Sequence, residues 1–171
     1  MKIILETPRL LLREFTLADK HDFFALNSDW EVVQYTGNLP FENMEAAVNV
    51  LENVIIKGQY EKYGMGRWAV IEKESQALLG WCGVRPNEND GEIDLGYRYF
   101  RQYWGKGFAT EAAKAVLEYA KNELQLAKIA GKAQIENIAS IKVLSKIGME
   151  RMKDIEENNE KLAYFVICLN G

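Results

Sequence analysis

Gln102-Tyr103-Trp104-Gly105-Lys106-Gly107-Phe108-Ala109-Thr110-Glu111 joins an alternating, strand-like run at residues 92–100 to an amphipathic run at residues 107–123. A strand that ends in two closely spaced glycines and opens a helix predicts a nest of backbone N–H groups, with the positive end of the helix macrodipole behind it. Such a nest binds phosphate oxygens. Gly105 and Gly107 allow φ > 0 and let a ligand approach the main chain, and Lys106 adds a point charge suited to phosphate. An ordinary tight turn ahead of a helix would use the same residues, so the rest of the chain has to decide between the two.

The 171 residues predict one domain, long enough to bury about 70% of the unfolded surface. With 48% hydrophobic and 27% charged residues the composition is that of a soluble globular protein. A net charge of −4 gives no bulk attraction for nucleic acid or anionic membranes. No apolar run approaches ~18 residues, and no basic segment precedes an apolar one at the start, so neither a membrane span nor a secretion signal is expected and the cytoplasm is the expected compartment. Cys82 and Cys168 lie in apolar runs without metal-site spacing and read as core filler in a reducing compartment. The single histidine, His21, reads as a surface residue and leaves no room for a histidine triad; no metal is expected.

Hydrophobic periodicity supplies the elements around the glycines. Strands are predicted at residues 9–15, 67–72, 77–85, 92–100 and 127–135, with a closing pair at 149–155 and 162–169 across a polar loop at 156–161. A helix opens at Thr16 with capping-box-like spacing and runs to about Asn27. A short helical turn follows at residues 30–35, and Asn43 caps a further helix that Gly58 should end. The helix after the glycines should bury Phe108, Ala112, Ala115, Val116 and Tyr119; a short helix at 140–147 stops at Gly148. Gly96, inside its strand, suggests a bulge or a close backbone approach. The resulting order, β-α-α-β-β-β-α-β-α-β-β, is an α+β fold. Its sheet is mixed and mostly antiparallel, being parallel only where the long helix crosses over.

Two stretches carry a family resemblance. Gln102-x-x-Gly105-x-Gly107, continued by Phe108-Ala109-Thr110-Glu111-Ala112, resembles the pyrophosphate loop of the GNAT superfamily of N-acetyltransferases, specifically its RimJ/RimL-type branch. Asn137-Ile138-Ala139-Ser140, with Val143-Leu144, Lys146 and Gly148-Met149, is similar to a second segment of that branch, Met149 standing where Phe is common. Thr7-Pro8-Arg9-Leu10-x-Leu12-Arg13 and Gly80-x-x-Gly83 also fit.

The resemblance implies a six- to seven-stranded sheet flanked by about four helices, with a V-shaped split between the two central strands. It implies an enzyme that uses acetyl-CoA as cosubstrate, with direct attack by a primary amine in a ternary complex; the acceptor is a small molecule or a protein α-amino group. The pantetheine arm would lie along Tyr97, Arg98 and Tyr99. Gln102, Trp104, Gly105, Lys106, Gly107, Phe108, Ala109 and Thr110 would grip the pyrophosphate. Asn137 would hydrogen-bond the arm and Ser140 would face the sulfur. A thiol of pKa ~8.5 leaves with little help from an acid, and a backbone N–H at Tyr97 or Arg98 would polarise the carbonyl.

Other readings of the same residues compete. Asn and Ser at a helix entrance are natural caps. Many GNAT enzymes carry a tyrosine acid four residues after the position of Ser140; here Leu144 stands there, which leaves the acid unassigned. Asp94 and Glu92 share a strand face, and Asp94 is a candidate base or substrate attractor, its alternative being a solvated pair with Lys or Arg. Glu111 fits its place through the helix dipole. Trp30, Tyr35 and Trp81 are candidates to line an acceptor cleft. A mild negative charge is compatible with cationic acceptors such as polyamines, basic peptides or aminoglycosides without choosing among them. The alternatives to the enzyme are a non-catalytic CoA-binding or regulatory module and a nicotinamide-dinucleotide enzyme. The latter would want its glycines in an early βαβ unit and an acid ~20 positions on. A monomer or homodimer is expected.

Overall fold

Thr7 and Pro8 reverse the chain between two short strands, β1 (Ile3–Glu6) and β2 (Leu10–Arg13). Thr7 N–H donates to the Leu10 carbonyl at 2.9 Å and Leu10 N–H donates back to Thr7 Oγ1 at 3.0 Å. The computed structural model describes residues 1–170. The first strand was not expected, because four residues of mostly continuous apolar sequence carry no period to read.

Thr16 and Asp19 close the capping box ahead of α1 (Lys20–Ser28). One turn, α2 (Trp30–Val33), follows, and Asn43 Oδ1 accepts from Ala46 N–H at 2.9 Å to open α3 (Met44–Asn49). The helix does not stop at Gly58. It continues as a wider, π-type helix over Val50–Glu61, because Leu51, Ile55, Gln59 and Tyr60 extend the buried stripe past the glycine. That burial outweighs the ~1 kcal/mol a helical glycine costs.

β3 (Arg67–Glu72), β4 (Leu78–Pro86) and β5 (Ile93–Tyr99) form an antiparallel meander. α4 (Phe108–Asn122) then crosses to β6 (Lys128–Gln134), the one parallel neighbour pair among the described residues. α4 buries Phe108, Ala112, Ala113, Val116, Leu117 and Ala120, while Ala115 and Tyr119 are only half-buried, so its inner stripe is rotated from the expected one. Trp68 of β3 meets Tyr119 edge to face at 5.5 Å. After α5 (Ile138–Lys146), the short strands β7 (Glu150–Arg151) and β8 (Ile155–Glu157) both pair with β9 (Glu160–Cys168). The polar 156–161 stretch is therefore mostly hairpin. Only Asn158 and Asn159, at φ 50° and 64°, form its turn, the conformation Asn tolerates in two-residue hairpins. Cys82 is buried as expected, but Cys168, at the end of β9, is exposed.

Among the described residues nine strands run β1-β2-β3-β4-β5-β6-β9-β7, with β8 beside β9, and five α-helices accompany them. The count exceeds the expected six to seven because β1 was missed and the closing strand breaks into two pieces. The sheet's weak seam is its centre: β5 and β6 pair only at Asp94↔Ala130 and Leu95↔Gly131, then part. By contrast β4·β5 and β6·β9 each pair over seven positions. Two half-sheets thus meet at a short hinge, and the expected V opens beyond it. A nicotinamide-type doubly wound sheet is excluded by this mostly antiparallel order.

Candidate active site

The glycine loop is built as a nest. Gly105 and Gly107 both lie in the left-handed region, at φ 74° and 80°, which turns successive amides outward. Among the described residues, the N–H groups of Gly105, Lys106, Gly107, Phe108, Ala109 and Thr110 have no protein acceptor; the first return bond of the helix is Glu111 N–H to the Gly107 carbonyl, at 3.0 Å. Trp104 departs from the expectation: its amide closes a turn on the Arg101 carbonyl at 3.1 Å. Its half-exposed ring donates to the Tyr99 carbonyl at 2.9 Å and walls the cavity instead. Gln102 and Lys106 are exposed and stand outside that wall. The side chain of Phe108 is in the core, so only its amide is available.

The nest is held from behind. Glu111 accepts from Thr7 Oγ1 (2.6 Å), Arg9 N–H (3.1 Å) and Arg9 Nε (2.6 Å), and Arg9 also donates to the Lys106 carbonyl at 3.0 Å. Burial pushes the Glu111 carboxyl up, but the bonds from Thr7 and Arg9 outweigh it and hold it below its ordinary value. Glu111 is a staple between the N-terminal hairpin and α4, a role beyond the dipole effect.

Two cavities open on the two sides of the split, of about 690 Å³ at the glycine loop and about 790 Å³ opposite. Tyr35, Thr36, Tyr97, Arg98, Asn137 and Ser140 line both, so the cavities meet there. Phe100 N–H donates to the Leu79 carbonyl (3.0 Å) and Asn87 N–H to the Glu92 carbonyl (2.7 Å). With the uninterrupted β4·β5 register, the strand period turns the amides of Asp94, Gly96 and Arg98 toward β4, and those of Tyr97 and Tyr99 toward the split. Of the two expected amides, Tyr97 faces the opening and Arg98 does not. Gly96 forms no bulge. It stands opposite Gly83, and a Cβ on it would lie 2.6 Å from the Arg67 guanidinium, so the glycine clears space for that side chain.

Tyr97 reaches α5. Its Oη lies 2.9 Å from Ser140 Oγ and donates to the Ser140 carbonyl at 3.0 Å. Burial pushes the Tyr97 phenol well above its ordinary value, so it stays protonated and is a donor rather than a base. Asn137 caps α5, its Oδ1 accepting from Ser140 N–H at 3.2 Å, and this sets where Ser140 points. Leu144 is buried. The side chain of Tyr99 is also buried, leaving its backbone at the split.

The opposite cavity is lined by arginines. Arg67 donates to the Gly83 carbonyl (2.7 Å), the Asp94 carbonyl (2.9 Å) and Asp94 Oδ2 (2.8 Å). Asp94 is therefore ion-paired, its Oδ2 spent on the Arg67 guanidinium. Arg98 donates to Asn27 and lies over Trp81 at 5.2 Å; burial first, then Arg67, pushes it down to about 10. Glu92 is taken by Lys128 (3.3 Å) and the Tyr164 hydroxyl (2.5 Å). Tyr35 and Trp81 do line this cavity; Trp30 does not. Two features were missed in the sequence: the Tyr97 phenol and Arg67. The available signal for Arg67 was a cation opening an otherwise apolar strand, with two glycines that fall in register beside it.

Comparison with known proteins agrees with this geometry. A sequence model of the acetyltransferase (GNAT) domain matches residues 9–150. The N-acetyltransferase p20 of Bacillus licheniformis is 31% identical over 165 residues, covering 92% of this chain and 90% of that protein. A GNAT-family acetyltransferase of Bacillus anthracis superposes with a TM-score of 0.84 at 27% identity, covering 99% of both chains. Spermidine N-acetyltransferase of Vibrio cholerae, solved with CoA and spermine, superposes with a TM-score of 0.79 over 95% of this chain and 97% of that one; at 18% identity the likeness is one of fold.

Proposed function

The chain belongs to the GNAT acetyltransferase family, and from that premise we propose that it moves the acetyl group of acetyl-CoA directly to a primary amine held beside it in a ternary complex. The observation that carries this is the meeting of two cavities across the β5–β6 split at Tyr97, Asn137 and Ser140. A donor on one side and an acceptor on the other need no covalent relay through the protein.

The chain's residues fit the cosubstrate. Six free amides and two left-handed glycines suit its pyrophosphate, and the outward amide of Tyr99 suits its pantetheine arm. When bound, acetyl-CoA supplies a thioester carbonyl open to attack and a thiolate that leaves readily. Tyr97 N–H donates to the oxygen where negative charge develops. The Tyr97 and Ser140 hydroxyls, hydrogen-bonded as a pair, hold the proton that the leaving sulfur takes up, the work Leu144 cannot do. Water, rather than the ion-paired Asp94, takes the amine's proton, and solvent returns one to the hydroxyl pair. Asn137 fixes the helix entrance that presents Ser140.

A protein α-amino group, as the RimJ/RimL-type resemblance implies, and a small amine both suit this scheme. Thiol release from acetyl-CoA with both substrates varied tests it. Intersecting lines support the ternary complex; parallel lines, the mark of a covalent acetyl-enzyme, would overturn it.

A further inference from the structure

Among the described residues, five buried side-chain polar atoms have no hydrogen-bond partner: Gln59 Nε2, Arg85 Nε, Asp94 Oδ1, Arg98 Nε and Tyr99 Oη. All but the last belong to residues that line the 790 Å³ cavity. Three of those four are N–H donors. An orphaned buried donor costs the full desolvation of the group unless something supplies an acceptor. Gln59, only 4% exposed, spends its carbonyl on Arg67 N–H (2.9 Å) and has its amide nitrogen left over.

The charges tell the same story. Arg67, Arg85 and Arg98 line the cavity with one carboxylate among them. Asp94 bonds Arg67 at 2.8 Å and stands 3.8 Å from Arg85, while Arg98 has the neutral Asn27. Beside the β8–β9 hairpin, Glu157 pairs with Lys132 (2.7 Å), which Asp90 shares (3.1 Å), and Glu160 accepts from the neutral Gln134 amide (2.6 Å). Three guanidiniums sharing one carboxylate leave an excess of positive charge on the β3–β5 side of the cavity. Two of them also lie over Trp81, Arg67 at 5.4 Å and Arg98 at 5.2 Å, which holds their planes in place.

We propose that the acceptor is an amine that carries an oxyanion, a carboxylate or a phosphate, gripped by Arg98 and Arg85 with Gln59 as a neutral donor. It rests on the acetyl-transfer function proposed above and names the substrate class of that site. A guanidinium fork matches either oxyanion. The same positive field opposes protonation of the amine, so the nucleophile is kept in its neutral, reactive form. A polycationic acceptor such as spermine would meet like charge, which sets this cavity apart from the use named for the Vibrio cholerae neighbour.

The test measures thiol release from acetyl-CoA with matched amines: amino acids against their amides, aminoalkyl phosphates against the parent amino alcohols, and spermidine. The anionic member of a pair is expected to have a kcat/KM about tenfold to a hundredfold higher, and whichever pair shows the larger ratio identifies the oxyanion. Equal use of both members, or preference for spermidine, overturns the proposal. In Arg98→Gln the ratio should fall toward one, and Arg98→Lys should recover part of it, with folding checked by thermal melting. A folded Arg98→Gln that keeps the wild-type ratio overturns the assignment of Arg98. Should Arg98→Gln not fold, the wild-type ratios decide alone. No turnover with any amine, while calorimetry still shows CoA binding, overturns this proposal; absence of CoA binding overturns the acetyl-transfer function itself.

Discussion

Tyr97 Oη and Ser140 Oγ sit 2.9 Å apart, joining the strand on one side of the split to the helix on the other. Their residues are 43 positions apart in the chain. The contact places two hydroxyls where the two cavities meet.

If the two act as one proton-delivering unit, Tyr97→Phe and Ser140→Ala should each lower kcat about tenfold to a hundredfold, with a smaller effect on acetyl-CoA affinity. The double variant should be little worse than either single one, since members of one unit are not additive. Steady-state kinetics with calorimetric CoA affinities checks this. Additive losses, or equal losses in affinity and turnover, would make them positioning groups.

Gly107→Val should abolish measurable CoA binding while the protein stays folded. At φ 80° a β-branched residue is strained by roughly 1–3 kcal/mol, and relief of that strain rotates the amides out of the nest. A Cβ there meets only Arg9, at 3.4 Å, so the core is untouched. Calorimetry and a thermal melt read the two halves separately, and unchanged affinity would remove the pyrophosphate assignment.

Arg67→Met should cost up to about 3 kcal/mol, because it removes the buried guanidinium shared by two carbonyls and the half-buried Asp94 carboxylate. Asp94→Leu added to it should recover part of the loss. Urea denaturation of the four proteins in the cycle measures the coupling; a double variant as unstable as the sum of the singles would mean that the pair is not coupled.

Acid should loosen the staple. The folded Glu111 carboxyl lies below its ordinary value of 4.5 because bonds from Thr7 and Arg9 outweigh burial, and Asp19 lies below 3.8 because bonds from Arg13 and Thr16 do the same. A depressed folded pKa gives stability that is fully present above the unfolded pKa and lost as pH falls through the folded one. The melting temperature should therefore decline below about pH 4.5, and Glu111→Gln should lower the neutral-pH value while flattening that decline. A parallel curve for the variant would show that Glu111 adds no pH-dependent stability.

What the chain's local order determined is considerable. Twin glycines before an amphipathic run specify a nest and its helix, because positive φ and apolar period are properties of neighbours in sequence. The meander of β3, β4 and β5 was readable for the same reason. Where burial far from a residue sets its state, local signals failed: the helix ran through Gly58, and the four residues of β1 found a partner. The site's chemistry was the tertiary structure's to decide. Tyr97 was marked for its amide, yet its phenol meets Ser140 only because β5 and β6 part after two residue pairs. Arg67 looked like the start of a strand, and became the partner of Asp94 because Gly83 and Gly96 came into register beside it. Charges and hydroxyls act through space over a few ångströms, so which of them meet depends on strand register and on where the sheet splits, and neither is encoded in any single stretch of residues.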